Sequence, residues 1–169
     1  FTVVGDGSER NRLEKLVQSL GIDKEVSFCG WLSHQDAMQR LRSADVLVFP
    51  SVRDFGGGVV FEALAVGVVP VVADFGGPGD IVHSEVGCKV SLTNEADVVS
   101  QIEKVLRKLA DDRNLLEQLS VQAVSYARES LSWDAKAHAI TAILRWTLGQ
   151  APKPDLRPPK VPFMRATSA

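Results

Sequence analysis

Short, continuous apolar runs alternate with amphipathic stretches from Thr2 to Val90. The runs Thr2–Val4, Val26–Phe28, Val46–Phe49 and Val68–Ala73 are rich in β-branched residues and show no polar alternation, which fits parallel strands covered on both faces better than strands with one wet face. Between them, Leu13, Leu16, Val17 and Leu20 recur at helical spacing and stop at Gly21, a residue suited to a left-handed helix cap. Ala37, Met38 and Leu41 form a second, shorter stripe, and Val59 to Val66 a third that Gly67 closes. Strands and helices alternating through short connections predict right-handed crossovers and an α/β fold, a Rossmann-like open parallel sheet flanked by helices.

Beyond Val90 the pattern becomes helical. Thr93-Asn94-Glu95 can cap a helix carrying Val98, Ile102, Val105 and Leu109, and Asp111-Asp112 can start another with Leu116, Leu119, Ala123 and Ala127. A last helix follows Ser132, and its stripe of Trp133, Ala137, Ile140, Leu144 and Leu148 is long and bulky for a helix covering only its own domain. From Gly149 onward, Pro152, Pro154, Pro158, Pro159 and Pro162 prevent regular structure. Residues 1–148 are therefore expected to form the folded domain, and 149–169 a Pro-rich tail that is extended or disordered.

A chain of 169 residues with 45% apolar and 24% charged side chains can bury a sizeable core as one globular domain. Its 19 Lys+Arg and 21 Asp+Glu give a net charge of -2, so no global positive field attracts nucleic acid or anionic lipid, and an anionic ligand must be held locally. Cys29 and Cys88 are too few for a disulfide scaffold or a zinc site and read as buried free thiols. No apolar run approaches the roughly 20 residues that cross a bilayer, which makes a cytoplasmic location the expectation. The chain opens directly on the strand pattern of Phe1-Thr2-Val3-Val4 without an initiator Met, the pattern of a fragment of something longer.

In an open α/β sheet, ligands bind beyond the carboxyl ends of the strands. The first such loop, Gly5-Asp6-Gly7-Ser8, begins like a dinucleotide fingerprint but places Arg10 where a third glycine belongs and has no acidic residue closing a strand further on. A tight turn with Ser8 capping a helix is its simpler role. The loop after Phe49 holds Gly56-Gly57-Gly58 at a helix start, where bare backbone N–H groups let a diphosphate approach. Glu62 follows one turn into that helix; its carboxylate can face the same crevice and suit a diol, or simply complement the helix dipole. A second glycine loop, Asp74-Phe75-Gly76-Gly77-Pro78-Gly79-Asp80, follows the next strand, and two such loops at neighbouring strand ends can line one anion cleft. His34, His83 and His138 have no acid or cysteine at ligand spacing, so no metal site is expected. Trp31 can stack on a base or pack against its own domain.

In order along the chain, Gly5 and Gly7, Val26-Ser27-Phe28-Cys29-Gly30, Ala44-Asp45 through Pro50-Ser51, Asp54 with Glu62, Glu62-Ala63-Leu64-Ala65-Val66-Gly67, Pro70-Val71-Val72, Gly76-Gly77-Pro78-Gly79-Asp80 and Ser132-Trp133 resemble the carboxyl-terminal half of the retaining, GT-B-fold glycosyltransferases, the group that includes sucrose, mannosyl and capsular-polysaccharide transferases. The resemblance covers residues 1–148. It implies the donor-binding domain of an enzyme of glycan biosynthesis that transfers a hexosyl group from a UDP- or GDP-sugar with retention, without cofactor or essential metal. It assigns Asp54 to the hexose as the catalytic acid, Gly56, Gly57, Gly58 and Val59 to sugar and diphosphate, Glu62 to the ribose, and Gly30, Trp31 and Leu32 to the base. It further implies a missing amino-terminal acceptor domain as partner, with any peripheral membrane contact confined to that part, and a last helix that crosses back to it; the fragment alone is then inactive.

Three features depart from the family pattern. Asp54 stands where glutamate is usual, Phe55 falls one place early, and the family's phosphate-binding arginine and lysine come from a strand and loop before the one that ends in Gly5-Asp6-Gly7, so that the chain starts after them. A 2-epimerase-like enzyme on the same architecture and a non-catalytic binding module are the rival readings, because fold alone does not fix a reaction.

Overall fold

Val69–Ala73 is the strand around which most of the core forms: all of its residues are buried, and it has a parallel partner on each side. The computed structural model describes residues 1–155, which divide into two compact units, Phe1–Ser43 and the part from Ala44 onward.

The first unit is a βαβα segment. Strand β1 (Thr2–Val3) pairs in parallel with β2 (Ser27–Phe28); helices α1 (Arg10–Ser19) and α2 (His34–Arg42) follow them. Gly21 takes φ +67 after α1, as the chain's reversal there requires. Ser33 caps α2 by accepting from the Asp36 N–H at 3.1 Å. Ser8 does not cap α1: Glu9 holds the N-cap position without a side-chain bond, while Asp6 accepts from the Gly7 N–H at 2.8 Å. The turn into α1 is closed by backbone alone, the Arg10 N–H donating to the Gly7 carbonyl at 3.1 Å.

In the second unit β3 (Val46–Phe49), β4 (Val69–Ala73) and β5 (Cys88–Val90) form a parallel sheet in that order. Helix α3 (Gly58–Ala65) joins β3 to β4, and α4 (Gly76–Ile81) lies between β4 and β5. The parallel α/β class holds, with the hydrogen-bonded ladders running as two sheets, one in each unit. Pro70 is tolerated inside a central strand because its neighbour Val69 bonds Asp45 O on the β3 side, while pairing with β5 begins only at Val71. Alternation along β4 sends Val69 and Val71 to one face, against Val90, Leu109, Leu116 and Leu119, and Val72 to the other, against Val60, Leu64, Val82, Val86, Ala123 and Tyr126.

Helices α5 (Glu95–Asp111) and α6 (Arg113–Tyr126) supply Leu109, Leu116, Leu119, Ala123 and Tyr126 of those covers, and are capped as expected: Asn94 accepts from Asp97 N at 3.0 Å, and Asp112 from Leu115 N at 2.9 Å. A π-helical turn (Ala127–Leu131) then redirects the chain into α7 (Trp133–Thr147), whose N-cap Ser132 accepts from Ala135 N. Helix α7 packs on the π-helical turn but buries none of its residues; Trp133 is 90% exposed, and Ile140, Leu144 and Leu148 are exposed as well. Of the expected Pro-rich tail, residues 156–169 lie outside the described residues, and 149–155 carry no helix or strand.

Candidate functional site

β3 and β4 end side by side, so the segments leaving them are neighbours from the start. Asp54 shapes the first. Its Oδ1 accepts from the Gly56 N–H at 3.1 Å and from the Gly57 N–H at 2.5 Å, which folds the loop into the entrance of α3. Gly57 adopts φ +58 and is buried, and the Val60 N–H bonds its carbonyl at 2.7 Å to close the first turn. The next N–H groups, on Gly58 and Val59, begin the helix and have no carbonyl one turn back to satisfy them. Val59 is half-buried against the core under α3, and Glu62 is half-buried one turn further on.

The second glycine segment is not an open loop. Gly76–Ile81 folds as the short helix α4, entered through an extended Phe75 and a Gly76 at φ +59. Its backbone lies against the first loop. A β-carbon on Gly77 would overlap the Phe55 carbonyl oxygen, and one on Gly57 would come within 2.9 Å of Pro78 Cγ. The absent side chains are what allow the two segments to touch. Phe55, 98% exposed, and the exposed Phe75 flank the junction.

Sequence reasoning missed one cation at this place. Lys89, on β5, pairs with Asp74 at 2.7 Å and donates to the Gly79 carbonyl at 3.2 Å. A strand of three residues has too little pattern to announce itself, so the side chain it delivers carried no signal.

In the first unit the Gly5 N–H donates to the Gly30 carbonyl at 2.8 Å, joining the segments after β1 and β2. Gly30 adopts φ +65, Trp31 projects with 82% exposure, and Leu32 is half-buried. Arg10 lies beneath, in contact with Asp6 and Glu14. The hydrogen bond that Arg10 donates to Glu14, ahead of the one it donates to Asp6, raises its already high pKa and keeps it cationic. The structure thus gathers Asp54, Gly56, Gly57, Gly58, Val59 and Glu62 around the start of α3, and Gly30, Trp31 and Leu32 in a separate segment of the first unit. Cys29 and Cys88 are free thiols, half-buried where full burial was expected. Among the described residues, no three His, Cys, Asp or Glu side chains are grouped to hold a metal, and no helix is long and apolar enough to cross a membrane.

Parallel βα units with glycine-rich segments at the strand ends define an α/β chain built to present backbone N–H groups. Residues 1–128 match the family described as Glycosyl transferases group 1, and the chain belongs to that family. An uncharacterised glycosyltransferase of Methanocaldococcus jannaschii is 33% identical over 135 residues, which are 79% of this chain and 34% of that protein. The chain therefore spans about a third of the length of that relative.

Solved structures agree on the fold. Sucrose-phosphate synthase from Thermosynechococcus elongatus superposes with a TM-score of 0.69 at 23% identity, over 89% of this chain and 39% of its own. The carboxyl-terminal domain of a group 1 glycosyl transferase from Francisella tularensis gives 0.61 at 23%, over 69% and 58%. Anabaena HepE in complex with UDP-glucose gives 0.66 at 22%, over 89% and 40%. The architecture is the carboxyl-terminal half of a GT-B glycosyltransferase fold.

Proposed function

We propose that this chain is the nucleotide-sugar donor domain of a retaining glycosyltransferase, one that moves a hexosyl group from a UDP- or GDP-sugar to an acceptor held by another part of the enzyme. The observation that carries this reading is the junction at the start of α3, where Asp54 orders a glycine segment so that successive backbone N–H groups converge at a helix N-terminus. The UDP-glucose complex of a relative in fold supports the choice of ligand.

Oxygens of the departing diphosphate take the N–H groups of Gly58 and Val59, where fixed dipoles stabilise the charge that grows as the glycosidic bond breaks. Asp54 Oδ1 already serves Gly56 and Gly57; its other oxygen is the one to meet a hexose hydroxyl. Glu62 accepts from the ribose hydroxyls, and Gly30, Trp31 and Leu32 lie against the base. The reaction needs no essential metal, and the enzyme works at the cytoplasmic side, where nucleotide sugars are held.

Calorimetric titration of UDP and GDP into this chain and its Glu62→Gln variant tests the assignment. A bond between a hydroxyl and a carboxylate contributes ~1.5–3 kcal/mol, so the variant is expected to bind about tenfold or more weakly. Equal affinities would remove Glu62 from the site. With the full-length enzyme, a glycoside of retained anomeric configuration is the expected product, whereas a free epimerised sugar would establish the epimerase reading.

A further inference from the structure

We propose that Arg10 is a positioning residue for the base-contacting segment Gly30–Leu32, holding it in one conformation from below. The inference rests on the reading above, in which that segment meets the nucleoside base.

The Arg10 side chain reaches the turn after β1, the next turn of its own helix and the end of β2. Its Nη1 lies 3.1 Å from Asp6 Oδ2 in the turn after β1, its Nε 2.8 Å from Glu14 Oε1 on α1, and its Nη2 donates to the Phe28 carbonyl at 3.5 Å at the end of β2. The guanidinium carbon sits 5.9 Å from the centre of the Phe28 ring. Gly30 lies close to this group: a β-carbon there would be 3.3 Å from Nη1, and the residue's φ of +65 is one that side chains disfavour.

A helix-surface ion pair would need none of this. Pairs of Arg10 with Glu14 or Asp6 alone contribute little at exposed positions. The planar guanidinium, with five donors in a fixed fork, serves two carboxylates and a carbonyl from one side chain next to Gly30, a geometry that the compact ammonium of lysine does not reproduce. The segment above is fixed at both ends. Gly30 is tied to Gly5 through its carbonyl, and Ser33 is locked as the N-cap of α2. Trp31 is therefore held out in solvent by a very short stretch of backbone whose near end rests on Arg10. An exposed indole held this way loses little further freedom when a base stacks on it.

The test uses the 169-residue chain, isotopically labelled, with Arg10→Lys and Trp31→Ala variants. Uridine, UDP and inorganic pyrophosphate are titrated separately by NMR, and backbone mobility is read at Trp31. In Arg10→Lys, Trp31 is expected to become mobile; if the competent conformation falls to about a tenth of the population, uridine and UDP weaken together by about tenfold. Pyrophosphate binding stays unchanged. A structural role alone would loosen the fold and weaken all three ligands alike, which would overturn the proposal, as would wild-type affinities in Arg10→Lys beside a weakened Trp31→Ala. Unchanged UDP affinity in Trp31→Ala would instead overturn the base reading, and the proposal with it. Should Arg10→Lys fail to fold, Glu14→Gln removes one tie at the helix surface and is expected to shift uridine affinity in the same direction by less; no shift there overturns the proposal.

Discussion

Asp54 holds a turn with one carboxylate oxygen, and that engagement separates what its substitutions should do. Asparagine keeps an acceptor for the Gly57 N–H but loses the charge, so Asp54→Asn in the full-length enzyme should lower kcat more than affinity for the nucleoside diphosphate. Equal losses would return Asp54 to a purely structural role. Alanine removes the acceptor as well and should cost ~0.5–2 kcal/mol of stability, the range for lost N-cap bonds. Cys88 carries a separate residue-scale prediction. Burial raises its thiol pKa, against a smaller opposing effect of Lys108, and burial raises the Tyr126 phenol too. With the folded pKa above the unfolded one, the unfolded chain loses its proton first, so stability is complete at neutral pH and falls as pH rises past about 8.5. Denaturation midpoints measured between neutral and alkaline pH should show this decline, with a shallower slope in Cys88→Val; a flat profile would contradict it. Residue-level roles were legible where chemistry is local. Asn94, Asp112 and Ser132 each present an oxygen to the N–H three residues on, whereas the expected cap at Ser8 is absent, Glu9 standing at the start of α1 without a side-chain bond.

Among the elements, the long apolar runs and stripes were readable because each has enough residues to show its period. Helix α4 was not: with Gly76, Gly77, Gly79 and Pro78 inside it, its composition describes a loop, and it is helical because Phe55 and Gly57 pack against it. β5 was hidden in three residues, and it exists by pairing with β4. The π-helical turn left no trace in the pattern, since one extra residue per turn shifts a stripe without erasing it. Helix α7 was predicted as an element, together with the excess length of its stripe. In the structure that stripe stays open, with Trp133, Ile140, Leu144 and Leu148 exposed. Apolar patches beyond a few hundred Å² favour association, so light scattering on the isolated chain should show concentration-dependent oligomers, and Ile140→Glu with Leu144→Glu should abolish them. A chain that remains monomeric while α7 is protected from hydrogen exchange would argue against this.

At the scale of the whole molecule, every fully buried apolar residue among those described belongs to the second unit, and the first is at most half-buried throughout. The α/β class was legible because the apolar runs do not alternate, although cover on both faces is complete only along Val69–Ala73, and β1 and β2, expected to share it, each keep an exposed residue; the division into two units was not legible, since it depends on which ladders close. The grouping of Asp54, Gly56, Gly57, Gly58, Val59 and Glu62 around the start of α3 was legible as a spacing, while the close approach of that segment to α4 was a property of backbone contact that no side-chain pattern encodes. Holding an acceptor at attack distance accounts for ~7–11 kcal/mol of a barrier in enzymes that bring two reactants together, and this chain spans only 34% of a relative's length. Incubated alone with UDP- or GDP-sugars and a panel of acceptors, it should release no glycoside; turnover matching a full-length relative would refute the assignment of this chain to the donor side alone. The contact of Gly77 with the Phe55 carbonyl and of Gly57 with Pro78 bears on anyone who wishes to vary these two segments. A library over 54–58 meets the collision at Gly57, whose β-carbon would reach Pro78, while β-carbons on Gly56 and Gly58 would meet nothing within 4 Å; one over 75–78 meets it at Gly77. Variation belongs at the positions around these two glycines, and a change at either of them calls for a matching change in the facing segment.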